Sequence, residues 1–81
     1  MTDDEIIEAV YKTAFDYISS VVPPKMIQDL EISVTKDDAD ITIDIQLVTS
    51  RTADVDQRTV EEAVKVASEK ADELMGAKEK V

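Results

Sequence analysis

The chain contains no cysteine and no histidine. Their absence rules out disulfide staples, thiolate metal sites and imidazole ligands, and leaves any serine, threonine or lysine nucleophile without its commonest activating base. Glycine is almost missing as well: Gly76 is the only one among 81 residues, so no glycine-rich loop can cradle a phosphate. No apolar run is long enough to span a bilayer. The opening Met1-Thr2-Asp3-Asp4-Glu5 is acidic where a signal peptide would be basic. These absences predict a non-catalytic protein without cofactor or metal, held together by packing alone, away from membranes and cytoplasmic, a setting that the lack of cysteine also fits.

Positive charge is scarce too. Nine basic against nineteen acidic side chains give a formal net charge of -10, which repels phosphate backbones and anionic head groups. Direct nucleic-acid contact is therefore not expected. Such charge keeps a small protein soluble, and a protein partner would be basic. Salt should stabilise the fold by screening this self-repulsion: raising ionic strength from about 10 mM to about 150 mM shortens the Debye length and is expected to raise the melting temperature. A melting temperature unchanged across that range would contradict the expectation.

What is present is hydrophobic patterning for one domain. Thr2 and Glu5 have the spacing of a capping box, and Asp3, Asp4, Glu5 and Glu8 lie where a helix start favours negative charge. From there Ile6, Ile7, Val10, Tyr11, Ala14, Phe15, Tyr17, Ile18, Val21 and Val22 fill one half of a helical wheel centred on Ala14. Pro23-Pro24 ends that helix. Lys25 to Gln28 reads either as a single helical turn opened by Pro24 or as an extended approach to a strand.

The period then changes to two. Leu30, Ile32 and Val34, followed by Ile41, Ile43, Ile45 and Leu47, alternate with polar residues, as expected of two half-buried strands. The connection from Lys36 to Asp40 is too short for a parallel crossover, so the pair is an antiparallel hairpin. Placing both apolar sets on one face requires even positions of the first strand to oppose odd positions of the second. The reading sets Val34 against Ile41, with a loop of two residues at Asp37-Asp38 or four at Lys36 to Ala39.

Val48 to Val55 reads as a polar connection. Val60, Ala63, Val64, Ala67, Ala71, Leu74 and Met75 then form a second helical stripe. Asp56 is the favoured N-cap, since Val55 and Val60 would form a hydrophobic staple around it, with Asp54/Gln57 and Thr59/Glu62 as other capping pairs. Gly76 follows the stripe as a helix stop, and residues 76–81 should fray. The fold class is thus α+β, two-layer, helix–strand–strand–helix, with both helices on one face of the hairpin. The second helix, lined by alanines, should lie close to a single surface. The wider first helix should touch both the sheet and its partner, with Tyr11 and Phe15 as ordinary core and Tyr17 as the exception at the stripe's margin. The outer sheet face and both strand edges stay open, so the protein is read as a monomer or a weak homodimer through a strand edge.

Carboxylate pairs such as Asp3/Asp4, Asp37/Asp38 and Glu61/Glu62 arise from composition and lie at solvated helix starts or turns, without the pocket that perturbs a catalytic pKa. Asp37, Asp38 and Asp40 lack the glycine and distant glutamate of a calcium-binding loop, so incidental cation binding is the most they support. Surface recognition remains. The candidate partner-binding residues are Glu31, Ser33, Thr42, Asp44 and Gln46 on the outer sheet face, together with Tyr17 at the margin of the first helical stripe. The competing reading is a domain for a small ligand or divalent cation, bound at the hairpin or between the helices.

The segments TDDEIIEAVYKTAFDYI, PPKMIQDLEISV, DITIDIQL and RTVEEAVKVASEKADEL, in that order, resemble an archaeal family of short acidic proteins of unknown function. The resemblance spans nearly the whole chain and implies a two-layer α+β fold in archaeal cytoplasm. It also implies genes placed near those for prefoldin and translation, which hints at a chaperone or RNA-modification partner. No active-site residues come with it.

Overall fold

The computed structural model describes residues 2–38 and 40–76. Four main elements follow the expected order: α1 (Asp3–Val21), β1 (Ile27–Asp37), β2 (Asp40–Thr49) and α2 (Ala53–Leu74). The expected fraying concerns residues that lie, beyond Gly76, outside the described ones.

The capping box that starts α1 is present. Thr2 Oγ1 accepts from the Glu5 amide at 3.2 Å, and the Glu5 carboxylate accepts from the Thr2 amide at 3.0 Å, so two amides without helical partners are satisfied. At the other end the Val22 amide still donates to the Ile18 carbonyl at 2.8 Å. Pro23 cannot continue the ladder. Pro24–Met26 form one 3₁₀ turn and β1 begins at Ile27, so the segment after the prolines combines a helical turn with an early strand start. The strand entry is irregular: between Ile27 and Asp29 the register shifts by one residue, a bulge that absorbs Gln28.

The hairpin has the expected parity but not the expected pairing. Val34 faces Ile43, not Ile41; Ile41 faces Lys36, and Asp37 pairs with Asp40. The loop is therefore the two residues after Asp37, with Asp38 in the left-handed region at φ 50°. Sliding the turn toward the tip by one residue preserves the faces and adds a rung. Lys36 lies on the rung before it, opposite Ile41, its side chain only 10% exposed and its ammonium 3.1 Å from Asp3 Oδ1 and 2.6 Å from the Asp38 carbonyl. The lysine stem thus extends the inner surface while its charge reaches a carboxylate.

Packing divides into two clusters. Ile6, Val10 and Ala14 of α1 meet Ala67 and Ala71 of α2, with Ile32, Val34, Ile41, Ile43 and Ile45 beneath. Ile18 and Val22 meet Ala63 and Leu47, with Leu30, Met26 and Val60 around them. Early α1 therefore lies against late α2, and the helices run antiparallel. Both helices pack on the sheet, α1 over β1 and α2 over β2, as well as on each other, so the second helix is not confined to one surface. Alanine at 63, 67 and 71 is what allows this close approach.

Two aromatic side chains correct the expected core. Tyr11 is 46% and Phe15 43% exposed. The buried spine of α1 is Ile6, Val10, Ala14, Ile18 and Val22, spaced by four residues, and Tyr11 and Phe15 each follow a spine position by one. That places them about 100° around the axis, on the flank. The half-wheel read from the sequence is thus wider than the stripe the facing alanines can cover.

Candidate functional site

The alternation that buries one sheet face aims every other side chain outward. Opposite pairs on the outer face are Asp29/Val48, Glu31/Gln46, Ser33/Asp44, Thr35/Thr42 and Asp37/Asp40, all exposed. These ten positions carry five carboxylates, at 29, 31, 37, 40 and 44, and no basic side chain. None of the five forms an ion pair among the described residues. Glu31, Ser33, Asp44 and Gln46 line a shallow concavity of about 580 Å³, floored by Ile32 and Ile45. Thr42 sits one rung nearer the tip on the same face. Five of the six candidate residues are thereby brought together.

Tyr17 is not among them. It is half-buried in the helical layer, where it lines a separate cleft with Val21, Arg51, Val55, Arg58, Thr59 and Glu62.

The most tightly built polar constellation lies in the segment read as a plain connection. Asp56 is not the N-cap of α2; that role falls to Thr52, whose hydroxyl accepts from the Val55 amide at 3.4 Å. Asp56 points back at the end of β2 instead. Its Oδ2 accepts from the Thr49 amide at 3.0 Å, and its Oδ1 accepts from the Thr49 hydroxyl at 2.6 Å and from Arg51 Nε and a terminal guanidinium nitrogen at 3.2 and 3.1 Å. The same guanidinium nitrogen donates to Thr59 Oγ1 at 3.1 Å, and Thr59 donates to the Val55 carbonyl. Four donors converge on one carboxylate.

The Thr49 hydroxyl is the main reason that the Asp56 carboxyl titrates below the usual aspartate range; burial opposes the shift, while the Thr49 amide and Arg51 reinforce it. A carboxylate held ionised in this way has no proton to deliver near neutral pH, and its lone pairs are occupied. Its chemistry is that of a latch joining β2, the connection and α2. One sequence signal pointed to it: positions 56 and 59 continue the 63, 67, 71 stripe backward, so an aspartate and a threonine stand on the buried side of the helix.

Among the described residues no group of three or more acidic side chains gathers closely enough to hold a metal ion, and Asp37, Asp38 and Asp40 do not converge. No helix among the described residues is long and apolar enough to cross a membrane.

Comparison with known proteins gives a family without a role. Residues 1–74 match the family described as "Protein of unknown function (DUF3194)". An uncharacterized protein of the methanogenic archaeon Methanocella arvoryzae is 60% identical over 75 residues, covering 93% of this chain and 95% of its own length. No solved structure matches. With three quarters or more of its length covered in both respects, the chain belongs to the DUF3194 family of proteins of unknown function.

Proposed function

We propose that this domain is a non-catalytic protein-interaction module of the cytoplasm that docks a basic surface of a partner protein on its outer sheet face. The observation that carries the reading is the outward face itself: five carboxylates and no cation over ten positions, covered by nothing else among the described residues. A hydrogen-bonded ladder holds those charges at fixed spacing, so lysines or arginines on a partner would meet them without ordering cost on this side. Like charge opposes pairing of two copies through the open strand edges, which favours the monomer as the docking species.

The test is affinity capture from a native lysate at low salt, with the wild-type chain and a Glu31→Lys/Asp44→Lys variant as parallel baits. The wild type is expected to retain a specific partner that elutes as salt rises. The variant should bind that partner at least about tenfold more weakly, since like charges across an interface cost several kcal/mol. Equal retention by both baits, or no specific partner, overturns the reading.

A further inference from the structure

Arg51 and Arg58 are the only arginines in the chain, and both line the cleft between the last turns of α1 and the first turns of α2. The chain carries nineteen acidic residues in all, of which Asp56 pairs with Arg51 and Glu62 lines the same cleft. Arg51 is fixed, its side chain 18% exposed and bonded to Asp56 and Thr59. Arg58 is exposed and forms no ion pair among the described residues. Glu62, one turn further along α2, lines the same cleft without closing on it. A guanidinium unpaired on so acidic a surface is a ready partner for an incoming carboxylate.

Beside this charge lies exposed apolar surface. Val21 and Val55, 42% and 36% exposed, are among the few large aliphatic side chains left at the surface, and the half-buried Tyr17 completes the wall. The cleft has a volume of about 210 Å³, below the roughly 300 Å³ at which small-molecule pockets begin. It has room for a single large side chain of a longer segment.

We propose that this cleft is a second docking site, independent of the sheet face, for an acidic apolar peptide segment: an apolar side chain enters against Tyr17, Val21 and Val55, and a neighbouring carboxylate pairs with Arg58. The aromatic wall and the guanidinium are the residue types that dominate docking energetics elsewhere. Nucleic acid fits less well, since tracking a phosphate backbone takes a basic stripe, whereas here one of two guanidinium groups is already neutralised by Asp56.

The site can be probed by titrating the ¹⁵N-labelled full chain with the blocked peptide acetyl-Glu-Leu-Glu-Leu-amide. Parallel titrations use its neutral counterpart acetyl-Gln-Leu-Gln-Leu-amide and octathymidylate. Saturable amide shifts are expected around Tyr17, Val21, Val55 and Arg58, with the neutral peptide at least about tenfold weaker. Arg58→Glu should abolish the shifts, and Tyr17→Ala should weaken them. The Glu31→Lys/Asp44→Lys variant should bind the acidic peptide as the wild type does, so this site and the sheet face succeed or fail separately. Shifts spread over the whole chain, no saturable shift at millimolar peptide, equal binding of the neutral peptide, unchanged binding by a folded Arg58→Glu variant, or preference for octathymidylate would each overturn the proposal.

Discussion

Ile18→Ala is expected to destabilise the domain by about 3 kcal/mol, within the range for deleting a large buried aliphatic side chain. Ile18 is fully buried and belongs to the cluster that joins α1 to the root of the hairpin. The cavity would have little means to collapse. The buried α2 residue of its cluster is Ala63, which has no length to extend into the gap, and the chain just beyond is held by the hydrogen bond from the Val22 amide to the Ile18 carbonyl, the prolines and the 3₁₀ turn. A small domain is commonly stable by only about 5 kcal/mol, so most of the margin would go. Urea denaturation with an unchanged slope and a lowered midpoint is the expected readout. A loss under about 1 kcal/mol would mean that the surrounding side chains close the space, which the alanine-lined interface argues against.

Asp56→Ala is expected to have the second large effect, because it removes the acceptor that ties both the end of β2 and the connection to α2. The Thr49 amide and hydroxyl lose their acceptor, and the Arg51 guanidinium loses its charged one and keeps only the Thr49 and Thr59 hydroxyls. A fall in melting temperature on the order of 10 °C is anticipated. Asp56→Asn, which keeps shape but not charge, should fall in between and also reports the pH dependence. The folded-state pKa of Asp56 is depressed, so its stabilisation is complete above the unfolded value of about 4 and is lost as pH falls through the lower folded value. The stability difference between wild type and Asp56→Asn should therefore be constant from neutral pH down to about 5 and shrink below about 4. Taking the difference cancels the relief of self-repulsion that all variants share as the other carboxylates gain protons. A gap that persists unchanged at the lowest pH would show that the charge of Asp56 does not carry the latch.

Local signals made most of the fold legible. The Thr2/Glu5 spacing, the paired prolines and the change from a period of three or four to a period of two each act within a few residues, so α1 and the hairpin could be read directly. Parity of the strands followed from burying one face, and it holds. Parity leaves the pairing ambiguous by steps of two, however, and strand alternation alone does not choose between them. In the pairing adopted the turn begins at Asp38, and Lys36 reaches Asp3 across 33 positions of sequence. No local pattern in the strands encodes it.

The start of α2 shows the same limit more sharply. Asp56 has the residue type and the setting of an N-cap, and local chemistry alone favours that role. Its carboxylate is claimed instead by Thr49 and Arg51, which are near only because β2 ends beneath the helix. Exposure of Tyr11 and Phe15 was likewise hidden, since the width of a buried stripe depends on the size of the facing side chains, here alanines. As for the candidate sites, strand alternation placed the outer sheet residues together, whereas the Arg51/Arg58 cleft draws on both helices and the connection before α2, and it takes the folded chain to assemble it.

The division of the core into two clusters has a consequence for how this small protein can change over time. Residues around Ile6, Val10 and Ala71 steady the hairpin tip, while those around Ile18, Leu47 and Ala63 steady the pole that holds Arg51 and Asp56. The molecule is 42 Å long by 23 and 18 Å, so substitutions at the two poles lie well beyond the roughly 10 Å within which effects couple. The clusters share Ile32 and Ile45, so changes at one pole that leave those two side chains in place leave the other pole undisturbed. In a chain of 81 residues, the elongated two-cluster plan gives natural selection two separately adjustable parts.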